Sequence, residues 1–209
     1  MKKIITAVAV AGLMVACSSS NENENQITTE QNKPDTENNI ESTDQALVEI
    51  SSDEALIATA LMAAPAESRN GCKVIGYNMA GEFVTLKEGE NEFICLADDP
   101  KKEGFSAACY HKSLEPFMAR GRELKAEGKG YMEIFNIREE EVKSGKLEMG
   151  SPGSTLHIYY GEETLYNPET AEVPSAKYRY VVYMPWATAE STGLPERPVA
   201  PNHPWIMNP

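Results

Sequence analysis

CKVIGYNMAGEFVTLKEGENEFICL, residues 72–96, is the stretch that decides the fold class. Three runs rich in aliphatic, β-branched and aromatic residues, CKVIGY, EFVTL and EFICL, are separated by NMAG and KEGEN. Such residues suit a pleated, half-buried surface. Four- and five-residue connections containing Gly81 and Gly89 suit hairpins with longer loops or a bulge. The spacing predicts a three-strand antiparallel meander.

The flanks supply helices and two more strands. Upstream, Ser51 or Ser52 is a natural N-cap, Asp53 and Glu54 fall in the first turn, and ALIATALMAA runs to Pro65 with a broad apolar stripe. Downstream, HKSLEPFMARGRELKAEGKG reads as a helix capped by Ser113, with Pro116 in its first turn and Gly128 as its stop. IREEEVKS predicts a short second helix with Asn136 as cap, Glu139 at the capping-box position and Gly145 as terminator. The runs TLHIYY and KYRYVVYM then read as strands, and TAESTG as one helical turn. From Pro195 five prolines in fifteen residues predict an extended tail. The expectation is an α+β domain: an antiparallel sheet, made of the N-terminal three-strand meander plus two aromatic C-terminal strands, packed with two to three helices on one face.

Before the domain stand two segments of other kinds. MKKIITAVAVAGLMVAC, residues 1–17, has two lysines, an apolar run too short to span a bilayer, and Ala16 before Cys17. It reads as a signal peptide ending in a lipidated Cys17, although Met14 stands where such signals usually carry Leu. Ordinary secretory cleavage, leaving Cys17 a plain thiol that could pair with Cys72, is the alternative. Residues 18–50 are Ser, Asn, Gln, Thr and acids with few large apolar side chains, the composition of a disordered tether. Over residues 18–54 ten acidic residues stand against one lysine, Lys33. These segments predict an exported lipoprotein of the cell envelope, held at the outer membrane on its periplasmic or surface face. Residues 51–209 form the single folded domain.

The whole chain of 209 residues carries a net charge of −13, which argues against nucleic acid as a partner. The expected partners are the membrane, through the lipid anchor, and a protein or small-molecule ligand. The sequence has no GxSxG elbow, Walker loop, GxGxxG or SxxK. His111, His157 and His203 lie far apart without ligand spacing, so no metal and no cofactor is expected.

If Cys17 takes lipid, Cys72, Cys95 and Cys109 remain, and an oxidising compartment favours one pair with one spare thiol. Cys95 with Cys109 would close the loop ADDPKKEGFSAA, which is poor in large apolar residues, and would clip the third strand to the start of the main helix. Cys72 with Cys95 is the competing pair.

Two functional readings follow. In the first, the domain binds a partner or ligand beside its aromatic C-terminal strands. Seven Tyr and Trp residues fall between Tyr159 and Trp186, and Tyr180, Tyr183 and Trp186 are the binding candidates. In the second, the chain is an exported hydrolase using His111 with Glu115, or Arg120 and Arg122 as an anion pocket.

The segments FSAACYHKSLEPFMARGREL, YRYVVYMPWATAESTGLP and PWIMNP resemble those of a family of small secreted bacterial proteins with no established activity. The likeness covers roughly residues 55–209 and implies export and a common domain, with no catalytic residue to carry over. Similar proteins lack a cysteine at the position of Cys72, which implies that Cys72 is the spare thiol and favours Cys95 with Cys109. They also continue past PWIMNP into a His-containing strand, which implies that a ligand group lies beyond Pro209.

Overall fold

The computed structural model describes residues 46–207, all within one unit spanning residues 43–209. The expected signal peptide, Cys17 and most of the expected tether lie outside the described residues. Among the described residues no helix is long and apolar enough to cross a membrane.

The chain begins with β1 (Val48–Glu49), a short strand inside the stretch expected to be tether, paired antiparallel with β7 (Leu165–Tyr166). Helix α1 (Asp53–Leu61) follows, capped as the sequence suggests: the Ser52 hydroxyl accepts from the Ala55 N–H, and Asp53 and Glu54 occupy the first turn. Strands β2 (Lys73–Tyr77), β3 (Phe83–Lys87), β4 (Phe93–Leu96), β5 (Phe105–His111), β6 (Ser154–Gly161) and β8 (Lys177–Tyr183) build one six-stranded sheet in the order β3-β2-β4-β5-β6-β8. Helices α2 (Glu115–Ala126) and α3 (Tyr131–Lys143) lie between β5 and β6 in the chain, and α4 (Ala189–Thr192) is a single turn after β8.

The α+β class with a largely antiparallel sheet agrees with the sequence, and the connectivity differs from it. The three N-terminal strands are not a meander. β2 and β3 form the expected hairpin, but β4 lies on the other side of β2 and runs parallel to it, Val74 opposite Cys95. The β3–β4 connection therefore crosses the beginning of β2, where the Glu90 and Asn91 N–H groups both donate to Gly71 O and Lys87 Nζ donates to the Asn70 and Cys72 carbonyls.

FSAACYH, of which FSAA falls in the expected loop, is instead strand β5. It is the third strand from the β8 edge, lying between β4 and β6, and its small residues Ala107 and Cys109 are fully buried on the face under α1. Helix α3 starts at Tyr131 with Gly130 as N-cap and Glu133 reaching back to the Gly130 N–H, six residues before the expected Asn136 cap. Nor does Ser113 cap α2. Its hydroxyl bonds His111 Nδ1 and Ser154 Oγ, each at 2.8 Å, tying the end of β5 to the start of β6.

The helices cover both faces of the sheet instead of one. α1 closes over the face bearing Val74, Cys95, Phe105, Ala107 and Cys109, with Leu56 and Ala60 fully buried against them. The opposite face is covered from α2: Leu114 and Leu124 are buried, and Phe117 meets Tyr183 edge to face at 5.9 Å. Arg120 holds α3 onto α2 through two-pronged contacts with Glu141 at 2.9–3.1 Å.

Asp98, in the β4–β5 loop, is 5% exposed and accepts from the Ser106 N–H at 3.0 Å. Burial pushes its carboxyl up to about 6. An unfolded aspartate sits near 3.9, so the native state holds this proton more tightly, and its contribution falls as pH rises from 4 to 6. The stability difference between Asp98→Asn and wild type is therefore expected to shift toward the variant by on the order of 2 kcal/mol across that window. Urea titrations at each pH check this; a constant difference contradicts it.

Candidate functional site

One row of registered residues crosses the sheet: Val74, Cys95, Cys109, His157 and Tyr180, on β2, β4, β5, β6 and β8. Partners in register share a face, so all five belong to the face under α1. The first three are fully buried, whereas Tyr180 is 64% exposed. The helix thus covers only part of this face, and the β6–β8 end of it is open.

Tyr178, Tyr180 and Val182 alternate outward on this open part, and Met184 continues the same periodicity beyond the end of β8; all four are exposed. Behind them His157 is flanked by the rings of Tyr178 at 6.0 Å and Tyr180 at 6.3 Å, with Phe93 edge-on at 6.1 Å. His157 Nδ1 and the Tyr178 hydroxyl share a short hydrogen bond, and Nε2 bonds Thr155 Oγ1 at 3.0 Å. Burial lowers the pKa of this imidazole. The ring acts as a neutral brace that orients the Tyr178 phenol.

The row ends at a strained turn. The Ala187 N–H donates to Met184 O at 3.0 Å, with Pro185 second and Trp186 third in the turn. Trp186 has φ +63°, which gives the type II pattern whose third position calls for Gly. A bulky residue in the left-handed region costs about 1–2 kcal/mol. Trp186 is also 58% exposed. An indole is thus presented to solvent two residues beyond Met184.

At the other end, the open face runs into a shallow depression of about 360 Å³, lined by Tyr159 and Tyr178 and by Met62 and Pro65 from the segment that follows α1. Arg69 and Glu172 supply opposite charges at its rim. The Arg69 guanidinium donates to the Ala64 and Met62 carbonyls, satisfying acceptors that the end of α1 leaves unpaired.

The other candidates separate. Tyr183, an odd number of residues from Tyr180, points to the opposite face and packs on Phe117, so it is not part of the aromatic surface. His111 faces the α1 side of β5, bonded to Ser113 with Glu92 3.7 Å away. Glu115 and Arg122 lie on the other side of the sheet around Tyr110. The Tyr110 hydroxyl donates to Glu115, Arg122 donates to Glu115 at 2.6 Å and to the Tyr110 oxygen at 3.1 Å, and Arg122 lies over the Phe83 ring. Arg120 is committed to Glu141 and Glu123. The proposed hydrolase set is thus not brought together. A larger open depression, about 500 Å³, lies by Ser113, Pro116 and Gly150 without His111 in its lining.

The three described cysteines converge. The Cys95 and Cys109 sulfurs, directly opposite in register, are 2.6 Å apart and unbonded, and all three thiols are free and fully buried. The expected clip between a strand and the start of a helix is instead a contact between adjacent strands. Cys72 lies with them: the sulfurs of Cys72, Cys95 and Cys109 all lie within 4.8 Å of one another. Cys72 donates to Ser68 O at 3.2 Å and takes a contact from Asn91 Nδ2 at 3.7 Å.

Compared with protein-family models, curated proteins and solved structures, the chain matches none.

Proposed function

We propose that this chain is an envelope-anchored lipoprotein whose folded domain is a binding module and not an enzyme, and that it takes a protein or small-molecule ligand on the open aromatic face of β6 and β8. The observation that supports this reading is the exposed row Tyr178, Tyr180, Val182 and Met184 terminating in Trp186 at positive φ. Exposed Tyr and Trp rings offer large contact area with few rotatable bonds and are enriched among residues that dominate binding energy. Strain of about 1–2 kcal/mol at an exposed indole is otherwise a pure loss. The neutral His157 brace and the shallow, open shape of the neighbouring depression suit recognition better than proton transfer in a closed cleft.

Two measurements test the proposal. For the anchor, labelled fatty acid should be incorporated into the wild-type chain and lost in Cys17→Ser, with release from the membrane fraction. For the face, a photo-reactive phenylalanine analogue placed at Tyr180 should give a discrete adduct in cells, while the same group at Tyr131, exposed on α3, should not. Trp186→Gly should remove at least nine-tenths of that adduct, as expected for an aromatic anchor worth about 2 kcal/mol. The same change should leave stability equal or raise it by up to about 1 kcal/mol, because Gly accepts the turn conformation. Equal adducts at positions 131 and 180 would reject the face as the binding site.

A further inference from the structure

The three sulfurs beneath α1 go beyond this binding role. Cys95 lies on β4, between β2 and β5 in the sheet. Its sulfur has Cys109 opposite it on β5, while Cys72, just before β2, approaches from the other flank. Val74 is in register with Cys95, so Cys72, two residues earlier on the same face, is its diagonal neighbour. Asn91, through its contact with Ser68 O at 2.7 Å, and the β3–β4 connection pin the segment that carries Cys72. Three buried sulfurs, two on neighbouring strands and one at the entrance to a third, therefore meet, with Cys95 on the strand between the other two.

We propose that this cluster is a disulfide-exchange site with Cys95 as its hub: Cys95 pairs with Cys109 in the resting protein, and Cys72 is positioned to take the place of Cys109. In the closing step a disulfide-bearing oxidant, protein or small molecule, accepts the two electrons and leaves as a dithiol or two thiols, while the Cys95 and Cys109 thiols lose their protons and form one S–S bond. The sulfurs approach to 2.6 Å, against a bond of about 2.05 Å, so closure needs little movement of the paired strands. In the exchange step the Cys72 thiolate attacks Cys95 Sγ. The new bond joins Cys72 to Cys95, the old bond breaks, and its electron pair leaves on Cys109, which takes up the proton Cys72 gave away. No electrons are gained or lost in that step.

The two bonded forms tie different strands. Cys95–Cys109 ties β4 to its antiparallel neighbour β5, and Cys72–Cys95 ties the beginning of β2 to its parallel neighbour β4. Burial pushes the Cys72 thiol up to about 11, so its thiolate is scarce and the exchange step is slow. Among the described residues no carboxylate or imidazole joins the three sulfurs as a further ligand.

The full-length chain, purified reduced and then treated with glutathione disulfide, is trapped by alkylation in denaturant and mapped by mass spectrometry without reduction. In the wild type the Cys95 and Cys109 peptides should be linked and Cys72 alkylated. In Cys72→Ser the same link should persist. In Cys109→Ser the link should move to Cys72 and Cys95, in more than half of the molecules. Cys109→Ala makes the same prediction should serine unfold the core. Three alkylated thiols in the oxidised wild type would overturn the proposal. So would two alkylated thiols in a folded Cys109 variant, or a bond that recruits Cys17. Because the oxidant is supplied in solution, this outcome is independent of whether the chain is exported or binds through its aromatic face.

Discussion

Replacing Leu56 by alanine is expected to lower the unfolding free energy of the domain by about 2–5 kcal/mol. Leu56 is fully buried in the middle of α1, and the cluster it joins contains Ala60, Ala63, Ala64, Val74, Cys95, Ala107 and Cys109. Most of these neighbours are small, and backbone hydrogen bonds hold the strands beneath at fixed spacing. The surroundings therefore cannot collapse into the space left behind, which places the cost in the upper part of the range. Against a typical total of about 5–15 kcal/mol, that is a large share. Chemical denaturation measures it, and the partly buried neighbour Ile57 supplies the comparison, with a smaller loss on truncation. The same variant should raise the rate at which an aromatic disulfide reagent reacts with the native protein's thiols, because α1 is what shields them. A loss below about 1 kcal/mol, with unchanged thiol reactivity, would mean that α1 does not form the lid.

Gly89→Ala is the second large effect. A Cβ built at Gly89 lies 2.1 Å from Lys73 N, 2.4 Å from Cys72 C and 2.6 Å from Lys73 Cα. Those atoms are backbone, so relief requires moving the start of β2 or the β3–β4 connection. The connection is held there by the Glu90 and Asn91 N–H groups on Gly71 O. Overpacking of this kind costs about 1–3 kcal/mol and occasionally more, and the rigid obstacle puts Gly89 at the high end. Displacing the Cys72 backbone should also shift its sulfur away from Cys95. The Cys109→Ser, Gly89→Ala double variant is therefore expected to form less of the Cys72–Cys95 bond than Cys109→Ser alone. Thermal unfolding and the same peptide mapping read the two effects separately.

Both effects depend on the path of the β3–β4 connection, and that path was not legible in the sequence. The runs 72–77, 82–86 and 92–96 announce strands through their composition, and Gly81 and Gly89 mark where the chain turns. Whether the third strand returns beside the second or crosses to the far side of the first is decided by which pairing buries Val74 and Cys95 under α1. That is a long-range contact with no local pattern. The missed strand β5 has a different cause. Ser106, Ala107 and Ala108 are weak strand formers, and it is pairing with β6, joined at Ala108 by β4, that makes the extended form favourable.

The binding candidates divide along a line that the strand period does encode. Tyr180 and Tyr183 are three residues apart, and side chains of a strand alternate faces, so they could never share a surface. What the period leaves open is which face is covered. α1 extends over β2, β4 and β5 and leaves β8 bare on one side, while Phe117 of α2 reaches Tyr183 on the other.

By itself the sequence determined the α+β class, the capped first helix, and the existence of β2, β3, β4, β6 and β8, since caps, turn residues and hydrophobic period act between near neighbours in the chain. Only the tertiary structure decided the strand order, the central place of β5, the convergence of Cys72, Cys95 and Cys109, and the open aromatic face. Each of these depends on which distant segments exclude water together, and that choice belongs to the packed whole.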